Sequence, residues 1–124
     1  MRTKINSYRD LVVWKAAIEL SVACYGATKA FPNSEVYGMT SQIRRSSVSI
    51  AANIAEGHGR ENTGSFIQSL RVAQGSLKEL ETHLILAGRV GLMREPEVAP
   101  LLDQADEIGR MLRSLVRSLQ QKTL

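Results

Sequence analysis

The sequence predicts an all-α protein, an antiparallel up-down-up-down four-helix bundle, and three observations carry that prediction. Apolar residues recur at spacings of three and four through four long segments, the signature of helices with a buried face. The breaks between segments span a few residues, so consecutive helices fold back on one another. Three prolines and 5% aromatic content in 124 residues argue against a β-sandwich, which needs frequent turns and β-branched runs.

In the first segment, Leu11, Trp14, Ile18, Val22 and Tyr25 form one stripe, and Val13, Ala17, Leu20, Cys24 and Ala27 form a second beside it. Two adjoining stripes cover a wider arc than one partner helix needs. Asn6 or Ser7 is placed to cap the start, and Phe31-Pro32 stops the helix because proline lacks the amide that continues the ladder. The second helix is expected to begin near Ser34, with Glu35 in its first turn. Its buried face reads Met39, Ile43, Ser47, Ile50, Ile54, while Val48, Ala51, Ala52 and Ala55 keep the flank small. Gly57 and Gly59, around His58, supply a left-handed stop.

The third segment is the most regular, with Phe66, Leu70, Ala73, Leu77, Leu80, Leu84 and Ala87 in unbroken register. Asn62 or Thr63 caps it, and Gly88 and Gly91 weaken its far end. The fourth repeats the pattern as Val98, Leu101, Ala105, Ile108, Leu112, Leu115 and Leu119. Pro96 suits a first turn, whereas Pro100 so close behind frays or delays the start. A seven-residue repeat favours left-handed packing of rods ~30–40 Å long. The pattern is read as one domain over residues 1–124.

Composition narrows the function classes. A 44% hydrophobic and 23% charged chain suits a folded domain and excludes wholesale disorder. The lone Cys24 excludes an intrachain disulfide and a cysteine zinc site. No membrane association is expected, since no run of 18 apolar residues occurs. Lys15 and Glu19 interrupt the apolar stretch Leu11 to Cys24, so no export signal is read and the cytoplasm is the expected compartment. A net charge of +4 permits a nucleic-acid partner without requiring one.

Enzyme chemistry finds little to build on. A di-iron bundle needs two Glu-x-x-His motifs and two further glutamates, and Glu79 with His83 is one pair at the wrong spacing. Cys24 lies on an apolar stripe, as a buried hydrophobe would. Gly57-His58-Gly59 lacks the strand and the Gly-Lys-Ser/Thr of a phosphate loop. No catalytic, cofactor-binding or metal residue is assigned, and a non-enzymatic protein is expected.

Two polar features stand out. Gln42, Arg45, Ser49, Asn53 and Glu56 make a ridge along the second helix, read as a hydrogen-bonded seam that sets helix register, with a ligand site as the alternative. Arg45 and Glu56 lie too far apart to pair on one helix, so partners on other helices or another subunit are expected. Arginine makes up most of the 16 basic residues, and it favours bidentate contacts to carboxylate or phosphate. Arg110, Arg113 and Arg117 share one face, followed by Lys122, while Arg44, Arg45 and Arg60 bracket the second helix. These six arginines are the candidate contacts to an RNA or DNA backbone. Ion pairs with Glu79, Glu81, Asp103 and Glu107 are the alternative. No aromatic residues interleave these faces, so base-specific recognition of single strands is not expected.

The run Gln42-Ile43-Arg44-Arg45-Ser46-Ser47-Val48-Ser49-Ile50-Ala51-Ala52-Asn53-Ile54-Ala55-Glu56-Gly57 resembles a bacterial four-helix-bundle family named for reading frames in 23S rRNA intervening sequences. Leu11 to Trp14, Phe31-Pro32, Tyr37-Gly38, Gly57 to Arg60, Ala73 to Ser76 and Glu79 to Glu81 extend the resemblance over nearly the whole chain. A related member is the accessory variability protein of diversity-generating retroelements. The resemblance implies a cytosolic, non-enzymatic bundle that forms a ring-like homopentamer and associates with nucleic acid. It also implies a reverse-transcriptase partner if the gene lies in a retroelement. Many relatives carry proline where this chain has Ala51, so a kink in the second helix is not expected here.

Overall fold

The computed structural model describes residues 6–122, folded into four α-helices: α1, Val12–Thr28; α2, Met39–Gly59; α3, Thr63–Arg89; α4, Glu95–Lys122. Each helix packs against its neighbours in sequence, and α1 closes the ring against α4. The contacts show the directions. Late α2 meets early α3 where Gly57 lies against Phe66 and Ser69, and mid α2 meets mid α3 where Ser49 bonds Ser76. The start of α4 meets the end of α3 where Val98 lies against Gly88, and farther along Gly109 reaches back to Leu77. The bundle is antiparallel, up-down-up-down, as the short connections require.

One core cluster runs through all four helices, with Leu20, Ile43, Ile50, Ile54, Leu70, Leu77, Leu80, Leu84, Ile108 and Leu112 fully buried. Each such side chain contributes about 1.5–3 kcal/mol on leaving water. The α3 stripe is buried at every expected position, Phe66 through Ala87. In α1 the second stripe faces the core through Val13, Ala17, Leu20 and Cys24, joined by Ser21 and Thr28. The first stripe divides: Leu11 and Trp14 pack half-buried against the core, while Ile18, Val22 and Tyr25 remain exposed. In α4 the last buried position is Val116, with Leu115 and Leu119 half-buried beside it. A straight helix turns every 3.6 residues, so a strict seven-residue stripe drifts off the core by its far end.

The helix ends correct several expectations. Ser7 caps a short 3-10 turn, Tyr8–Asp10, in a reciprocal capping box with Asp10, and α1 proper starts beyond it at Val12. Backbone amides of Asn6 and Ser7 donate to the Asp10 carboxylate and hold it below the ordinary Asp range. Ser34 begins no α-helix, because Asn33–Glu35 is a separate 3-10 turn; α2 starts at Met39, whose amide donates to Glu35 Oε1 at 3.1 Å. Gly57 and Gly59 both remain helical, and the left-handed residue of that turn is Glu61, at φ 54°. Asn62 caps α3 by accepting from the Ser65 amide at 2.9 Å, and Gly91, at φ 84°, reverses the chain after it. Pro100 sits inside α4 without breaking it. It withholds a donor only from the Pro96 carbonyl, one turn from the helix start. α2 runs as one segment through the buried Ala51.

Gly57 marks the closest helix approach. A Cβ there would lie 2.5 Å from Ser69 Cβ and 3.1 Å from the Phe66 ring, so α2 or α3 would have to shift bodily. Gly57→Ala should therefore cost ~1–3 kcal/mol despite alanine's better helix propensity. Gly75, exposed on α3, faces open space, and Gly75→Ala should stabilise by ~0.5–1 kcal/mol. Urea denaturation of the two variants, with opposite signs expected, checks both assignments.

Candidate functional site

The α2 ridge divides in the fold. Ser49 and Asn53 are half-buried and linked: Asn53 Nδ2 donates to Ser49 O at 2.8 Å and to Ser49 Oγ at 3.1 Å. Ser49 Oγ and Ser76 Oγ, 2.8 Å apart, tie α2 to α3. Gln42, Arg45 and Glu56 are exposed. Glu56 pairs not with another helix but with Arg60, one turn on, at 2.9 Å with both side chains more than half exposed. Ser46 and Ser47, buried within the same motif, return their hydroxyl protons to the carbonyls of Gln42 and Arg44. Small, internally satisfied side chains let α2 approach its neighbours closely.

The six candidate arginines fall into four groups. Arg60 and Arg110 are held by glutamates on their own helices, Arg110 by Glu107 at 2.9 Å. Arg113 and Arg117 are exposed on α4, without an ion pair among the described residues. Arg44 is anchored across the bundle edge: Nε donates to Thr28 Oγ1 at 2.9 Å, and the guanidinium carbon lies 4.5 Å from the Tyr25 ring centroid. The Thr28 hydroxyl itself donates to Cys24 O at 2.8 Å. The Arg45 side chain, beside Arg44, has no hydrogen bond or ion pair among the described residues. Nothing in the sequence marks Tyr25, Thr28 and Ser76 as partners of α2. Their spacing on α1 and α3 is ordinary, and only the helix pairing turns them toward it.

Two grooves follow the α1/α2 edge and meet at Val48. One, about 280 Å³, is apolar, lined by Trp14, Ile18, Ala51, Ala52 and Ala55, with Ser21 in its wall. Ser21 Oγ is buried there without a hydrogen-bond partner. The other, about 490 Å³, lies toward the end of α1 and holds Tyr25, Ser41, Arg44 and Arg45.

The groups with catalytic chemistry stand apart from these grooves. Burial pushes the Cys24 thiol up to about 11, which keeps it protonated and unreactive. His83 Nε2 lies 3.6 Å from Glu79 Oε1, beyond hydrogen-bonding distance. His58 is on α2 rather than in a loop, its ring edge-on to Phe66. Among the described residues, no group of three or more His, Cys, Asp or Glu is placed to hold a metal ion. No helix among them is long and apolar enough to cross a membrane.

Fold and surface together define an all-α four-helix protein with an arginine-bearing exterior. The family model of 23S rRNA-intervening sequence proteins matches residues 9–114, and the chain belongs to that family. A solved structure from Bacteroides thetaiotaomicron, described as a protein with unknown function from the S23 ribosomal protein family, is 27% identical. The likeness covers 85% of this chain and 98% of that one, with a TM-score of 0.76. No curated protein matches the sequence.

The polar contacts on α2 yield a contrast. Ser49→Ala should cost ~0.5–1.5 kcal/mol, because it strips a bond from both Asn53 and Ser76. Glu56→Ala removes only an exposed ion pair and should cost less than ~1 kcal/mol. Thermal melts of the two variants rank the contributions.

Proposed function

We propose that the chain is a non-enzymatic binding or scaffolding protein that assembles with copies of itself and holds RNA or DNA by the phosphate backbone. The observation that carries this reading is the apolar α1/α2 groove. Ile18, 37% exposed, lines a channel of small alanines, and Val22, 67% exposed, lies one turn on along α1. Contiguous apolar surface of this kind marks a subunit interface. The family resemblance favours a ring-like homopentamer. The net charge of +4 and the exposed Arg113 and Arg117 support backbone binding, since assembly repeats that face in every subunit. The reverse-transcriptase partnership of the retroelement relative has no counterpart among the chain's features.

Light scattering at micromolar concentration should give an oligomer mass for the wild type. Ile18→Glu places a charge in the groove and should yield monomers that retain the helical far-ultraviolet spectrum. A wild-type monomer overturns the assembly.

Backbone binding predicts a steep salt dependence. In titrations of structured RNA at several salt concentrations, Arg113→Gln or Arg117→Gln should lower the log–log slope by ~0.7–1 for each phosphate that is no longer neutralised. If Arg113→Gln weakens assembly and leaves the slope unchanged, the arginine pairs across the subunit boundary. An absence of binding at low salt leaves a purely structural oligomer.

A further inference from the structure

We propose that the cleft between the end of α1 and the first half of α2 holds one unpaired nucleotide of a single-stranded nucleic acid. Its phosphate would lie on Arg45 and the free edge of Arg44, and its base or sugar against Tyr25 and Val48. The inference rests on the nucleic-acid reading above and gives that reading a place on the surface and a strand class.

Arg44 is the central residue. Its Nε is held by Thr28 Oγ1 at 2.9 Å, and its guanidinium carbon lies over Tyr25, 4.5 Å from the ring centroid, so the side chain is positioned before any ligand arrives. Preorganisation removes much of the entropy cost of using an arginine. Its terminal nitrogens make one long contact, 3.5 Å to Tyr25 O, which leaves most of the fork free for an anion. Arg45 adds a second guanidinium with no partner among the described residues, and the Ser41 hydroxyl on the same wall is also unbonded there.

Among the described residues no carboxylate lines the cleft or pairs with Arg44 or Arg45, and Glu35, nearby in sequence, accepts the Met39 amide with Oε1. Arg60 and Arg110, by contrast, each face a glutamate at 2.9 Å. The cleft's volume of about 490 Å³ suits a small organic group. Tyr25, Val36 and Val48 give it the apolar walls that a bare phosphate would not use.

These walls select the strand. One face of Tyr25 is covered by the Arg44 guanidinium; a base inside a duplex cannot reach the part of the ring left exposed, whereas an unpaired base can pack against it. Tyr25 comes from α1, which is why no aromatic residue interleaves the arginines along α2 itself.

The test is fluorescence anisotropy of the full chain with a labelled 15-nucleotide single strand and with the same sequence as a duplex. The single strand should bind more tightly. Arg45→Gln should weaken it at least ~5-fold and reduce the salt slope by ~0.7 for each phosphate released from the arginine. Tyr25→Leu should weaken it ~5-fold or more with the slope unchanged, and Tyr25→Phe should retain wild-type affinity. Excess inorganic phosphate should compete only weakly. Circular dichroism and light scattering confirm that each variant keeps its fold and assembly. A preference for the duplex, efficient competition by phosphate, or unchanged affinity in both Arg45→Gln and Tyr25→Leu overturns the cleft. If binding persists but responds only to Arg113→Gln and Arg117→Gln, the nucleic-acid reading stands and the cleft is overturned. If neither probe binds at low salt, both fall.

Discussion

The rest of the bundle depends on how closely α2 packs against α3. Gly57 allows the backbones to meet at one end, where a single added carbon would strike Ser69. Ser49 and Ser76 lock the register farther along with a 2.8 Å hydrogen bond. Ile50 and Ile54 of α2 and Leu70 and Ala73 of α3 are buried in the same core cluster. Larger residues at Gly57, Ser49 or Ser76 would separate the helices and open voids along the core, at a cost that grows with cavity volume.

That packing leaves α2 with two distinct sides. The polar residues Ser46, Ser47 and Asn53 are small and bond to carbonyls of α2 itself, while Ser49 reaches α3. Toward α1 it presents Arg44, anchored by Thr28 and Tyr25, and the Arg45 side chain beside it has no partner among the described residues. A charge fixed against an aromatic face at a bundle edge is costly to order in an isolated helix. Here the thermodynamic work is done by folding, and the surface emerges already shaped.

The α1/α2 edge also gathers the apolar surface that the core does not use. α1 is apolar around a wide arc, yet its neighbours α2 and α4 cover only part of it. The remaining side is continuous with the arginine cleft through Val48, so the assembly and binding surfaces proposed for this chain share one edge of the bundle. Polar and charged groups at the rim of an apolar patch are the ordinary anatomy of a subunit boundary.

Helix identity, helix number and the buried stripe of α3 are legible in the sequence, because each follows from a 3.6-residue period within one segment. The caps at Ser7 and Asn62 are legible for the same reason: donor and acceptor lie within three residues. What the sequence leaves open is every choice that compares distant segments. Two equivalent stripes on α1 give no local sign of which faces inward, and the partners α2 and α4 decide for Val13, Ala17, Leu20 and Cys24. Gly57 reads as a helix stop until α3 lies against it, when it becomes the point of closest contact. The Arg44, Thr28 and Tyr25 cluster joins residues sixteen and more positions apart, and only tertiary packing brings them within bonding distance. Local periodicity sets which residues can be buried together, and packing between helices decides which of them are.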